Sequence, residues 1–178
     1  MKQFDIPDIN TPEYWDKNQT ATDFGLRQKK YLELAGKGDS IIELGCGLSP
    51  TLYEADFKTK VGVDFSKETI KTITKLYPDI DYKCANAVKT GIDREFDVVL
   101  AGEVIEHLEK PDELLKEMER LCKVGGIMII STPHLDFNDP EHLWEFIAED
   151  FVDWESETIH SNRFKGRSYL YIWRKKLS

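Results

Sequence analysis

The segment Glu43-Leu44-Gly45-Cys46-Gly47 closes a short run rich in isoleucine, and here the spacing of residue types first suggests chemistry. Two glycines one residue apart allow a tight turn and leave room for a ligand to lie against the main chain. About twenty positions later Asp64 ends the next apolar run, where a doubly wound sheet sets a carboxylate to accept both hydroxyls of a ribose. A turn of this kind alone is common; a turn paired with that acid points to a nucleoside site. The third glycine of the dinucleotide fingerprint is missing, because Leu48-Ser49-Pro50 follows Gly47. Glu43 adds a negative charge that repels phosphate and attracts a cation. A sulfonium bearing an α-amino group suits that field better than a dinucleotide does.

A second constellation lies in Ala101-Gly102-Glu103-Val104-Ile105-Glu106-His107-Leu108. On a helix, Glu103, Glu106 and His107 share one face. Carboxylates and an imidazole so arranged fit a divalent cation, zinc or iron better than magnesium, with His134 or His142 as a further ligand. The same residues equally fit His107 as a general base toward a hydroxyl, since neutral imidazole near pH 7 removes a proton well. A purely structural or substrate-orienting histidine is the third option. His142 is a candidate substrate contact, against helix entry and packing. Arg27 is a candidate partner for a ligand carboxylate, against a solvated face. Arg163, Lys165 and Arg167 read as a solvated turn or an anion-attracting cluster.

The elements that must position these residues follow from periodicity. Strands are expected over Ser40–Leu44, Val61–Asp64, Ile80–Cys84, Phe96–Ala101 and Gly126–Ser131, the fourth buried on both faces as parallel strands are. Ser66 reads as the N-cap of a helix with Ile70, Ile73 and Leu76 inward. A helix from Pro111 to about Lys123 carries Leu114, Leu115, Met118, Leu121 and Cys122 inward and ends at Gly125-Gly126. The interval from Gly47 to Asp64 is short, so the helix within it is abbreviated. Trp144–Phe151 reads as a short helix, and Val152–Asn162 and Ser168–Arg174 as an antiparallel hairpin. Residues 11–36 read as one or two helices with Tyr31, Leu32 and Leu34 inward. Strands and helices alternate, which defines an α/β chain with a mostly parallel sheet.

The 178 residues fit a single core, and 33 acidic against 24 basic residues give a net charge of −9. That charge disfavours phosphate-neutralising recognition of nucleic acid. No apolar stretch is long enough to cross a bilayer, and Met1–Asn10 has no apolar signal core. Cys46, Cys84 and Cys122 are too widely spaced for a zinc pair, so a reducing cytoplasm is the expectation.

The segments Ile41–Gly47, Val61–Ser66 and Phe96–Pro133 together resemble the class I S-adenosylmethionine-dependent methyltransferases, over about residues 40–133. The resemblance implies a Rossmann-like, doubly wound, mostly parallel seven-stranded sheet whose last strand is antiparallel. It implies one domain over 1–178, with a helical cap (1–39), a cofactor-binding core (40–133) and a C-terminal helix and hairpin (134–178). S-adenosyl-L-methionine is then the cofactor, held by Glu43, Gly45, Cys46, Gly47, Asp64, Phe65, Asn86, Ala87, Glu103 and Arg27. Asn86 stands where the family commonly has Asp, and Ser49 where it has a third glycine. Glu103-x-x-Glu106-His107 is similar to ubiquinone-pathway O-methyltransferases and small-RNA 2′-O-methyltransferases, which implies a divalent ion, though metal-free members look alike there. The expectation adopted is no metal, with His107 and Glu106 catalytic. Glu13-Tyr14-Trp15 resembles the opening helix of many members, and Asp139–Phe146 a histidine-bearing segment of enzymes acting on sugars and small metabolites. Tyr14, His134 and His142 are therefore the substrate-binding candidates. The acceptor is expected to be an oxygen or nitrogen of a small molecule, and oligomerisation stays open. The alternatives are a metal-dependent RNA 2′-O-methyltransferase, an inactive cofactor-binding subunit, and a nicotinamide oxidoreductase, the last disfavoured by Glu43 and Ser49.

Overall fold

The computed structural model describes residues 2–3, 24–49, 51–133, 142–160 and 168–178. A seven-stranded sheet runs through it, with strands β1 Lys37–Leu44, β2 Asp56–Asp64, β3 Asp81–Cys84, β4 Phe96–Gly102, β5 Cys122–Pro133, β6 Glu155–His160 and β7 Ser168–Lys176. Their spatial order is β3-β2-β1-β4-β5-β7-β6. Strands β1 to β5 pair in parallel, and β7 runs antiparallel to both β5 and β6. The order reverses between β1 and β4, so a crevice opens beyond the carboxyl ends of these two strands. Helices α1 Phe24–Ala35, α2 Thr51–Glu54, α3 Lys67–Leu76 and α4 Pro111–Leu121 complete the described framework. Lys2–Gln3 pairs separately with Trp144–Glu145.

The period of two in the strands explains why two cores form. Ile42, Leu44, Val99, Ala101, Met128 and Ile130 face one layer with Leu114, Met118 and Leu121 of α4. Their neighbours Ile41, Val98, Leu100 and Ile129 face the other layer with Tyr31 and Ala35 of α1 and Leu52 of α2. Both faces are therefore covered, as a parallel sheet requires. Ser66 caps α3 as expected, its Oγ accepting from Thr69 N at 3.0 Å. The abbreviated helix is α2, four residues long.

Several expectations need correction. Strands β1, β2 and β5 begin three to five residues earlier than the apolar runs suggest. Their first halves are partly exposed and carry polar residues, which hides them from a hydrophobic pattern. Helix α4 stops at Leu121 because Cys122 already takes extended geometry as the first residue of β5. Leu76 is 56% exposed and not inward; Ile73 alone of that triplet is fully buried. Trp144–Phe151 is not an α-helix but a two-residue strand followed by a 3-10 turn, Ala148–Phe151. Of the α1 residues, Tyr31 and Ala35 are buried, and Leu32 and Leu34 are half-buried.

One buried polar group holds the loop before β4 to α4. The Glu117 carboxylate accepts from Thr90 N (2.9 Å) and Thr90 Oγ1 (2.6 Å), and from Arg120 Nε (2.8 Å) and Nη2 (2.7 Å). The guanidinium first, and then the Thr90 donors, pull its pKa down to about 2. Because the folded value lies below the unfolded one, this stabilisation is complete above about pH 4.5 and disappears as pH falls toward 2. Urea midpoints measured between pH 6 and pH 2 are expected to fall less steeply in Glu117→Gln than in the wild type; equal slopes would contradict the assignment.

Candidate functional site

The glycine turn leaves β1 and folds back on β2 through its own amides. Gly45 N and Cys46 N both donate to Val63 O, at 2.7 and 2.9 Å. Gly47 N donates to Asp64 Oδ2 at 3.0 Å, and Ser66 N donates to Asp64 Oδ1 at 2.9 Å. These amides are thus engaged within the protein rather than presented as an anion hole. Each glycine has its own reason. Gly45 (φ +69) lies so close to Val104 that a methyl of that valine stands where a Cβ would be. Gly47 (φ +51) has no atom of the described residues within 4 Å of that position, which leaves that side of the turn open.

Around this turn stand the other expected cofactor residues. Phe65 is half-buried, with its carbonyl accepting from Cys84 Sγ at 3.5 Å. Asn86 is exposed just beyond β3 and accepts from Val88 N at 3.0 Å, while Ala87 is buried. Cys46 is buried, and its thiol is raised well above the ordinary value by burial. Glu43 is buried beneath the turn, and one carboxylate oxygen, Oε2, lacks a hydrogen-bond partner among the described residues. Burial pushes its pKa up to about 8, against the opposing pull of Arg27. At pH 7 it is largely neutral, and a cation in the crevice would draw it into its ionised form.

The expectation that Glu103, Glu106 and His107 share a helical face is overturned. Glu103 takes a left-handed backbone (φ +58), so no helix starts there, and the helical geometry is confined to a 3-10 turn at Ile105–His107. The Glu103 carboxylate accepts from Ser131 Oγ at 2.9 Å and pairs with Arg27 Nη1 at 3.2 Å. Arg27, expected to meet a cofactor carboxylate, makes that ion pair from α1. Glu106 and His107 do stay together, with His107 Nε2 3.8 Å from Glu106 Oε1. Their third partner is His142, whose ring lies 5.0 Å from that of His107. Two bonds return its segment to the turn: Leu143 N donates to Glu106 O at 2.8 Å, and Trp144 Nε1 donates to Leu108 O at 2.7 Å. Tyr14 and His134 lie outside the described residues.

Glu106 is fully buried, and among the described residues neither carboxylate oxygen has a hydrogen-bond partner. Burial first, then the charge of Glu103, raises its pKa well above the carboxylate range. One ligand atom each from Glu106, His107 and His142 lie within 4.8 Å of one another. A carboxylate with no partner beside two imidazoles is a donor set that fits a divalent cation, so the residues satisfy that test. They fit a neutral proton-accepting imidazole as well. Sequence reasoning missed the linkage of Tyr31, Ser131 and Val104 to this site, because each reaches it from a different part of the chain.

Known proteins resemble this chain both in sequence and in fold. The pattern of a family described as a methyltransferase domain matches residues 42–130. A probable S-adenosylmethionine-dependent methyltransferase of Mycolicibacterium smegmatis is 28% identical over 137 residues, covering 72% of this chain and 49% of its own. A ubiquinone biosynthesis O-methyltransferase of Pelagibacter ubique is 32% identical over 136 residues, covering 67% of this chain and 55% of its own. The chain therefore spans about half the length of the curated relatives it matches. Among solved structures, the N-methyltransferase NodS of Bradyrhizobium japonicum in complex with S-adenosyl-L-homocysteine superposes with a TM-score of 0.73 at 15% identity, covering 93% and 98% of the two chains. At that identity the likeness concerns the fold alone.

The buried acid beneath the turn yields a measurable consequence. Glu43 binds its proton more tightly folded than unfolded, so its contribution is fully present below about pH 4.5 and lost as pH rises through about 8. The melting temperature is expected to decline from pH 5 to pH 8, and Glu43→Gln to remove part of that decline. A variant that melts with the wild-type pH profile would show the residue ionised throughout.

Proposed function

The chain belongs to the methyltransferase-domain family, and from that premise we propose that it transfers the methyl group of S-adenosylmethionine to an oxygen or nitrogen of a small molecule. The observation that carries this reading is the Asp64 carboxylate, which ties Gly47 to Ser66 directly beside the open side of the turn. A carboxylate can accept further bonds on each oxygen, so it can receive ribose hydroxyls while holding both loops. The turn keeps its amides for the protein and offers no cradle for a pyrophosphate, which favours an adenosyl sulfonium over a dinucleotide. Phe65, Asn86 and Ala87 are the residues assigned here to line the adenine.

The reaction is an in-line displacement. The acceptor's lone pair forms the new bond to the methyl carbon, the carbon–sulfur bond breaks, and its electron pair returns to sulfur, leaving a neutral thioether. The acceptor gives up one proton. His107 is the residue suited to take it, with its Nε2 facing Glu106. Holding acceptor, methyl and sulfur in line supplies most of the acceleration, so the chain's main task is positioning. Relatives named as ubiquinone biosynthesis O-methyltransferases favour a hydroxyl acceptor. The net charge of −9 disfavours RNA.

A second reading draws on the Glu106–His107–His142 cluster. When bound there, a divalent cation would act as a Lewis acid that lowers the pKa of an acceptor hydroxyl. In the first reading His107→Ala lowers kcat by roughly 10²–10⁴-fold on a responsive hydroxyl or amine acceptor, with S-adenosylhomocysteine affinity unchanged. Wild-type activity also survives exhaustive EDTA treatment. Loss of activity on chelation, restored by Mn²⁺ or Zn²⁺, would replace the first reading by the second; an unaltered rate in His107→Ala would exclude that residue as base.

A further inference from the structure

Glu103 is the one non-glycine residue with positive φ among those described. For a residue with a long side chain that conformation is costly and persists only where the surroundings impose it. The imposing contacts are identifiable. Glu103 N donates to Ser131 O at 3.1 Å, which fixes its backbone against the end of β5. Ser131 Oγ donates to Oε1, and Arg27 pairs with Oε2. Behind Ser131 stands Tyr31 of α1, whose hydroxyl bonds Ser131 Oγ within the buried layer.

Burial raises the Tyr31 phenol well above its ordinary pKa, so it remains a donor. The bonds then run in one direction, from Tyr31 to Ser131 to Glu103. Gly102 makes this possible: a Cβ there would lie 2.5 to 2.9 Å from the hydroxyl and ring atoms of Tyr31. A side chain at position 102 would push α1 away from the strand end.

The bend aims the chain at the glycine turn. Val104, directly after it, packs on Gly45, and Ile105–His107 then form the 3-10 turn that carries Glu106 and His107. The direction in which the chain leaves Glu103 therefore sets the wall of the cofactor site beside the glycine turn.

We propose that Tyr31, Ser131 and Glu103 are positioning residues for methyl transfer, which act through the left-handed bend at Glu103 to hold Val104 against the glycine turn. They touch neither methyl nor acceptor. Their effect reaches the cofactor through the backbone of residues 103–104. The proposal rests on the methyltransferase reading, because the cofactor product serves as its probe.

The test is calorimetric titration of S-adenosylhomocysteine into purified full chain, with melting temperature recorded for every variant. Tyr31→Phe and Glu103→Gln each remove one partner of the network and are expected to weaken binding about tenfold, a shift of about 1.4 kcal/mol. Ser40→Ala removes the hydroxyl that bonds Asp97 in the first half of β1, away from the strand ends that carry the turn, and serves as the comparison. It is expected to lower the melting temperature comparably and leave affinity unchanged. Ser131→Ala should behave like Tyr31→Phe, and Ser131→Thr, which keeps the hydroxyl, should restore binding; this pair decides the matter alone if Tyr31→Phe does not fold. Binding within twofold of wild type in Tyr31→Phe, Glu103→Gln and Ser131→Ala would overturn the proposal, as would affinities that follow melting temperature across all variants, Ser40→Ala included. A folded wild type that does not bind the probe at all would instead remove the methyltransferase reading, and the proposal with it.

Discussion

One carboxylate joins the two loops from which the site is built. Asp64 ends β2 and accepts from the amide of Gly47 on one side and of Ser66 on the other. Hydrogen bonds to an ionised acceptor are about twice as strong as neutral ones, so this single side chain fixes both the glycine turn and the entry to α3. The parallel register of β1 and β2, Leu44 opposite Val63, brings the two loops to the same edge of the sheet. Packing of isoleucine and valine on both faces then makes that edge rigid. The glycine turn and the entry to α3 are thus joined by the chain's own hydrogen bonds.

A second constraint is the imbalance of charge beneath that edge. Glu43, Glu103 and Glu106 are each buried enough for burial to be the leading cause of a raised pKa, and Arg27 is the guanidinium that opposes it for all three. Among the described residues, Glu43 Oε2 and both oxygens of Glu106 have no hydrogen-bond partner. Burying such groups is unfavourable unless they are neutral or meet a cation. Two kinds of cation are compatible with the chemistry: the sulfonium and ammonium of the cofactor near the turn, and a divalent ion at the cluster with His107 and His142. Charge therefore agrees with the engaged amides of the turn in selecting an adenosyl sulfonium.

Sequence reading reached what depends on local order. The glycine turn, the Ser66 cap and the Pro111 helix start each involve residues a few positions apart, and the buried strand centres show as continuous apolar runs. It did not reach what depends on contacts across the chain. Glu103 lies at helical spacing from Glu106 and His107, yet Arg27 and Ser131, from the first helix and the fifth strand, hold its side chain and leave a left-handed bend. His142 was named beside His134 as a further ligand and does join Glu106 and His107, but the bonds of Leu143 and Trp144 that bring it to the 3-10 turn have no signature in spacing. The helix expected at Trp144–Phe151 failed for a related reason: Trp144–Glu145 pairs with Lys2–Gln3, almost the full chain away. Leu76 had the right period, but it falls where α3 ends and stays more than half exposed.

The bridging carboxylate is tested most directly by titrating S-adenosylhomocysteine, and separately NAD, into the wild type and Asp64→Ala in a calorimeter. The wild type should bind the thioether at one site and give only dilution heat with NAD. The folded variant should bind it roughly ten- to a hundredfold more weakly, as expected for loss of a charged hydrogen-bond acceptor. Equal affinity in the variant, or tighter binding of NAD than of the thioether by the wild type, would contradict the account.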